Sequence, residues 1–442
     1  MQRVFFYIIA VISTALAIKY HYGSSDILLL VISTVLSFFF FQKMGKIKDN
    51  ILELFLIVYI LLAVHVVALF ELSSTGFFKD YISFKEYQAL ALWGNRLYFV
   101  LFSSLFLYRR IKYKKTEEKA PTNIKRDLDK PFKLITFFTY FLAIVSVFLG
   151  SSDLMGEVKI VLPFHLNGLI DEFRSNVYPF IFAIYVFDCL KKKKPIRHGN
   201  VVLFLVYVLA EIIVKSSKGA FLFSFIPVLT LLAFMGYYSG KTIVRYVFPL
   251  IIAFLILYPI IETARSEGSV SFSSLQEASK TERSNQGEDH SSPYIRAFLT
   301  GVYYTKLVDI VSDDQFSFDL RRVPLLISMD FGGVSYMTNI IDGVPEGAKQ
   351  SSGITGLCDA LVWGGHPLCY IVLALLVLLC YWGDHKGYMQ NTPLYRVILF
   401  YIIYRLVLGR TISIFSDTFF FAMMGTTVIK IIVAKFYYRK YY

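Results

Sequence analysis

Runs of about 18 or more apolar residues recur along this chain from end to end, and each can cross a hydrocarbon core of about 30 Å. Lipid offers a peptide group no partner, so a spanning run must satisfy its own N–H and C=O groups and folds as a helix. Of the 442 residues, 56% are hydrophobic and 17% charged, against roughly a quarter charged in a soluble domain. The expected fold class is all-α integral membrane, with about 12 transmembrane helices. They fall at 4–19, 26–42, 51–70, 89–108, 132–150, 176–190, 200–214, 219–239, 245–262, 366–383, 394–409 and 417–435. The first run, Val4 to Ile18, has no small-residue cleavage site after it and reads as a span, not a leader.

A net charge of +13 would suit nucleic acid in a soluble protein. Here the basic residues gather in short connections instead: Lys43–Lys48, Arg109–Lys130, Lys191–Arg197, Lys241–Arg245, Asp384–Arg396 and the C-terminal Lys435–Lys440. All of them lie on one side if both termini are cytoplasmic, which is where short basic loops stay. Nucleic acid is therefore not an expected partner. The outer side receives Glu71–Gln88, Ser151–Tyr178, Lys215–Gly219, Gly409–Ser416 and one outsized loop. Three parts result: helices 1 to 9 over 1–262, a large periplasmic loop with short helices over 263–365, and helices 10 to 12 with a cytoplasmic C-terminus over 366–442. Within the loop Ser266–Ser292 is polar, whereas Arg296–Ile341 is apolar and aromatic, with Tyr303, Tyr304 and Phe316. Cys189, Cys358, Cys369 and Cys380 have no paired spacing, so neither a metal site nor a disulfide frame is expected.

Charges within spans or at their outer ends are costly and mark candidate sites. Glu211-Ile-Ile-Val-Lys215-Ser-Ser-Lys218-Gly219 sets two lysines and two serines in a tight outer turn directly before a helix. Amides at a helix start, with the positive end of its dipole, bind anions, and lysines beside them add charge or else snorkel to the interface. Arg265 follows the ninth span and pairs either with a ligand or with Glu262; Arg410, in the last outer turn, faces either a diphosphate or Asp417. Arg96 lies mid-span and is assigned an internal carboxylate or a watery cavity. Arg321 and Arg322 stand in the loop, as does His290, a residue type suited to general-base work but often merely solvated. His366, at the outer mouth of the tenth span, is a second candidate base that packs or caps there in the simpler reading. No P-loop, no His-x-x-Glu-His type metal pair, no Gly-x-Ser-x-Gly elbow and no Asp-x-Asp pair for a metal-bound nucleotide sugar is expected.

In order and topology these features resemble the O-antigen and oligosaccharide repeat-unit polymerases of the Wzy type. Lys215-Ser-Ser-Lys218-Gly219-Ala220 is similar to that family's Gly-Ser-Arg-Gly turn, with Lys218 in the arginine's place. Arg265 resembles the arginine that opens the family's long loop, and Arg410 the one in its penultimate outer turn. Arg322 with Gly333 has the spacing of the family's Arg-x10-Gly motif, which Arg321 with Gly332 fits equally. Ser352–Pro367 resembles the stretch that closes the loop.

The resemblance implies a GT-C-like glycosyltransferase in a bacterial inner membrane. It would polymerise undecaprenyl-diphosphate-linked repeat units on the periplasmic face with inversion, beside a possible chain-length regulator and with no cofactor. Lys215, Lys218, Arg265, Arg321, Arg322 and Arg410 would bind substrate, with Lys218, Arg265 and Arg410 on the donor's diphosphate, and His290, or else a carboxylate such as Glu267 or Asp330, would serve as base. Two other readings remain. His290-x10-Gly301 resembles the loop motif of O-antigen ligases. A flippase for lipid-linked sugars would also have about a dozen helices, but with two similar halves and short loops.

Overall fold

The structure is a computed structural model that describes residues 2–70, 84–110, 128–148, 170–171, 173–215, 218–237, 304, 307, 356–385, 393–408, 427–428 and 431. Among these residues every regular element is helical. In chain order they are α1 (Gln2–Lys19), α2 (Ser24–Lys43), α3 (Ile51–Ile60), a π-helical stretch (Leu61–Val66) leading into α4 (Val67–Phe70), α5 (Phe84–Arg110) and α6 (Asp129–Phe148). A second π-helical stretch (Phe173–Val177) then leads into α7 (Tyr178–Lys191), followed by α8 (His198–Lys215), α9 (Lys218–Phe234), α10 (Gly356–His385) and α11 (Pro393–Leu408).

Among the described residues, five helical stretches are long and apolar enough to cross a membrane: Ser24–Lys43, Ile51–Leu69, Glu86–Arg110, Asp129–Val147 and Gly365–His385. Their outward faces support that reading. On α1 the exposed side chains include Val4, Tyr7, Val11 and Ile18, and on α2 Leu28, Val31, Val35 and Phe38. Spacings of three and four place each set on one stripe. Apolar stripes this extensive face lipid, because a soluble monomer rarely leaves such area uncovered.

The chain divides into two compact units. The first gathers Met1–Glu118, Ser291–Asn391 and Leu399–Asp417. Its organising helix is α5, which packs against α2 and α10 and buries Trp93, Leu97, Tyr98, Leu101 and Phe102. Here α5 meets the π-helical stretch at Gly94, where a Cβ would stand 2.8 Å from His65 Cε1 and 2.8 Å from Val64 Cγ1. The His65 ring stacks on Tyr98 with centroids 4.1 Å apart, so it has little room to yield. Gly94→Ala is expected to destabilise this unit by about 1–3 kcal/mol, as overpacking does. The readout is a lower thermal unfolding midpoint of the detergent-solubilised protein.

The start of α3 is closed from far along the chain. Asn50 occupies the cap position and its carbonyl accepts from the Leu54 N–H at 3.0 Å, but its side chain does not cap the helix and its amide donates instead to the Lys46 carbonyl at 2.9 Å. Asp384 Oδ2 accepts from the Leu52 and Glu53 N–H groups at 2.9 and 3.0 Å. Beside it Arg109 donates to Glu53 Oε2 at 2.6 Å and Asn50 Oδ1 at 2.8 Å, and its guanidinium lies 4.2 Å from the Phe40 ring centre. One polar knot thus ties α3, α5 and α10 together at one end of the unit.

The second unit comprises Lys119–His290, Thr392–Ile398 and Thr418–Tyr442. Helix α7 is buried on all sides from Tyr178 to Cys189, the signature of a central helix, and α6, α8 and α9 pack around it or one another. Aromatic rings fill the contacts: Phe182 stacks on Phe204 at 3.9 Å and Phe132 on Tyr185 at 4.8 Å.

Two elements depart from the sequence reading. The span expected at 366–383 is the later part of α10, which begins at Gly356 and turns at Gly365, whose φ of 65° suits glycine, just before Pro367. The span expected at 176–190 opens on the π-helical stretch from Phe173. The expected span at 245–262 and most of 417–435 lie outside the described residues, as does the large loop apart from Tyr304, Leu307 and the start of α10.

Candidate functional site

In the second unit, α8 ends at Lys215 and α9 begins at Lys218, leaving two residues, 216 and 217, for the reversal. So tight a connection forces neighbouring antiparallel helices, and α8 and α9 do pack together. The amide groups of the first turn of α9, a 17-residue helix, have no partners within the helix. That first turn carries no acidic residue, and a lysine opens it. A cation there opposes the helix dipole, so Lys218 does not stabilise the helix. The charge of the turn and the dipole instead add up in favour of an external anion.

Beneath the turn is an ion pair that the sequence reading left without a role. Arg174 Nε donates to Glu211 Oε1 at 2.6 Å, with the two side chains 2% and 1% exposed. Glu211 lies four residues before Lys215, one helical turn deeper on the same face. The Tyr207 hydroxyl donates to the Arg174 carbonyl, which fixes the π-helical stretch to α8, and Asp171 stands 4.0 Å from the guanidinium at the surface. Glu211 Oε2 is buried and has no hydrogen-bond partner among the described residues. The pair is neutral as a unit. Its signal in the sequence is a single carboxylate, Glu211, inside an otherwise apolar stretch, whereas Arg174 stands in the polar segment from Asp171 to Asn176.

The first unit holds a second cluster around Arg96. Its Nε lies 3.5 Å from Asp26 Oδ1 in the first turn of α2, which supplies the carboxylate expected for this residue. The guanidinium also faces the Tyr370 hydroxyl, outside good hydrogen-bond geometry. His366 packs between aromatic rings, 5.9 Å from Tyr370 and 6.3 Å from Tyr304, and Tyr304 in turn stacks flat on Trp93 at 4.0 Å. In the connection between α1 and α2, the Tyr22 hydroxyl donates to the Ala91 carbonyl at 2.8 Å. Burial, with Asp26 close by, pushes the Tyr22 phenol well up.

Of the residues chosen from sequence, the structure thus brings Lys215 and Lys218 to the two sides of one turn. Arg265, His290, Arg321, Arg322 and Arg410 lie outside the described residues. Among the described residues no group of His, Cys, Asp and Glu side chains is placed to hold a metal ion, and none of the four buried cysteines is in a disulfide. One Asp-x-Asp spacing, Asp127-Leu128-Asp129, has its second carboxylate bound to Arg197 at 2.7 Å and Asn200 at 3.3 Å. No protein-family model, curated protein or solved structure matches the chain.

Proposed function

We propose that this chain is a membrane-embedded inverting glycosyltransferase that polymerises undecaprenyl-diphosphate-linked oligosaccharide repeat units on the periplasmic face of a bacterial inner membrane. The observation that carries the reading is the short connection from Lys215 to Lys218, which opens α9 on a lysine with no acidic residue in its first turn, one helical turn beyond the closed Arg174–Glu211 pair. A helix start of that charge suits the diphosphate of a lipid-linked donor. Arg265 and Arg410, with Arg321 or Arg322, complete the cationic set in the order that the resemblance implies. Stabilising the charge that develops on a leaving diphosphate is usually a large catalytic term. The count of about 12 spans, the GT-C-like arrangement and the cytoplasmic termini belong to the same reading. His290, with ten residues between it and Gly301, favours a second one, ligation of finished polymer.

The test is the surface-glycan profile of a strain lacking the gene and complemented with wild type or Arg410→Ala. Collapse of the ladder to a single repeat unit, restored by wild type and not by the stably expressed variant, is the expected result. Full-length polymer stranded on its carrier lipid would replace this reading with ligation. Absence of any surface glycan or carrier-linked polymer would replace it with transport.

A further inference from the structure

The end of the second unit opposite the Lys215 turn has a different chemistry. There the start of α6, the end of α7 and the start of α8 come together. Asp129 accepts from Arg197 at 2.7 Å and Asn200 at 3.3 Å, and the Arg197 N–H donates to the Tyr185 hydroxyl at 3.4 Å. These bonds set Lys130 and Lys133 on the same rim as the Lys191-Lys-Lys-Lys194 run and Arg197. The carboxylates within the rim, Asp129 and Asp188, are buried and occupied, Asp188 by Lys192 at 2.8 Å. Lys130, Lys133, Lys193 and Lys194 are exposed and make no ion pair among the described residues.

Lys193 adds a second observation. It adopts φ 54° at the end of α7, where its N–H donates to the Leu190 carbonyl at 3.2 Å and the next N–H to the Cys189 carbonyl at 2.9 Å. That left-handed cap position is normally glycine's, because a side chain there is strained. The chain nevertheless places a lysine in it, in the middle of the rim.

A third observation says what the rim faces. On α6, Lys130 shares a stripe with Leu134, Phe137 and Phe141, all well exposed. On α8, His198 shares one with Val202, Leu205 and Leu209, again exposed. Spacings of four, three and four keep each set on a single helix face. Each apolar stripe therefore ends in a positive or protonatable group, with the lysine run beside both.

We propose that this rim is a binding site for anionic phospholipid headgroups, with the acyl chains lying along the exposed stripes of α6 and α8. A free phosphate would use the lysines but would have no use for the stripes. Clusters of four to eight cations at the ends of spans recognise anionic lipid in this way, at about 1 kcal/mol per cation.

The test is native mass spectrometry of the full chain in neutral detergent, titrated with phosphatidylglycerol, phosphatidylcholine or inorganic phosphate. Phosphatidylglycerol is expected to be retained in preference to the other two. Lys193→Gln with Lys194→Gln should weaken it about thirtyfold, whereas Lys43→Gln with Lys46→Gln, an equal loss of charge in the first unit, should have little effect. Lys193→Gly separates the fold from the site: it relieves the strained cap, so the thermal midpoint in phosphatidylcholine should hold or rise while phosphatidylglycerol affinity falls. Equal weakening by both glutamine pairs, equal retention of the two lipids, or displacement of phosphatidylglycerol by millimolar inorganic phosphate would each overturn the proposal.

Discussion

Glu211→Ala is expected to destabilise the second unit by about 3–5 kcal/mol, the range for breaking a buried ion pair from one side. The cause is the charge left behind. Arg174 is 2% exposed, and Glu211 Oε1, 2.6 Å away, is the only carboxylate oxygen within 3 Å of its guanidinium among the described residues. Without it the guanidinium must either stay charged in apolar surroundings or pull the π-helical stretch Phe173–Val177 outward toward Asp171. The measurement is the thermal midpoint of the solubilised protein, set beside Arg174→Met and the double variant Arg174→Met with Glu211→Leu. Apolar replacement of both partners is often neutral, so the double variant should recover most of the loss. Its activity then decides what the pair is for. A stable, active double variant would make the pair a structural tie. A stable, inactive one would show that the pair holds the Lys215 turn in its working geometry.

Lys218→Ala is expected to cut polymerisation about 100- to 1,000-fold, the usual effect of deleting one preorganised group that stabilises transition-state charge. Stability should hardly change, because a cation in the first turn of α9 works against the helix dipole and its removal relieves that conflict. Lys218→Arg should retain activity, since it keeps the charge and adds a bidentate fork for phosphate. The assay is repeat-unit polymerisation with purified lipid-linked substrate. Wild-type rates from a folded Lys218→Ala protein would remove this turn from the site. Equal loss in the alanine and arginine variants would mean that shape at the turn matters, and not charge.

The positions of helices were legible because apolar runs in lipid have one way to satisfy their backbone. The span read at 26–42 is α2, Ser24–Lys43, and the one read at 200–214 is α8, His198–Lys215. What pattern could not give was the partner of a charge. Arg174 and Glu211 are 37 residues apart and meet only because α8 folds back along α7. The local widening at Leu61–Val66 was equally invisible, since a π-helical turn adds one residue without breaking an apolar run. The two-residue reversal at Lys215–Lys218 could be read because its lysines interrupt two apolar runs at adjacent points. The Arg96 cluster could not, because its carboxylate, Asp26, comes from another helix.

Asp384 also sets a timetable. It accepts from Leu52 in the first turn of α3, 332 residues earlier. At a ribosomal pace of about 5–20 residues per second, the carboxylate arrives tens of seconds after that helix has entered the bilayer. During this interval the first turn of α3 has no cap, and the Glu53 carboxylate has Arg109 but not yet His385, which lies 3.3 Å away in the finished fold. The N-terminal spans therefore wait as an open assembly until the late helix arrives and works as a clasp. A nascent chain released before residue 384 would carry every early helix and still be unable to shut.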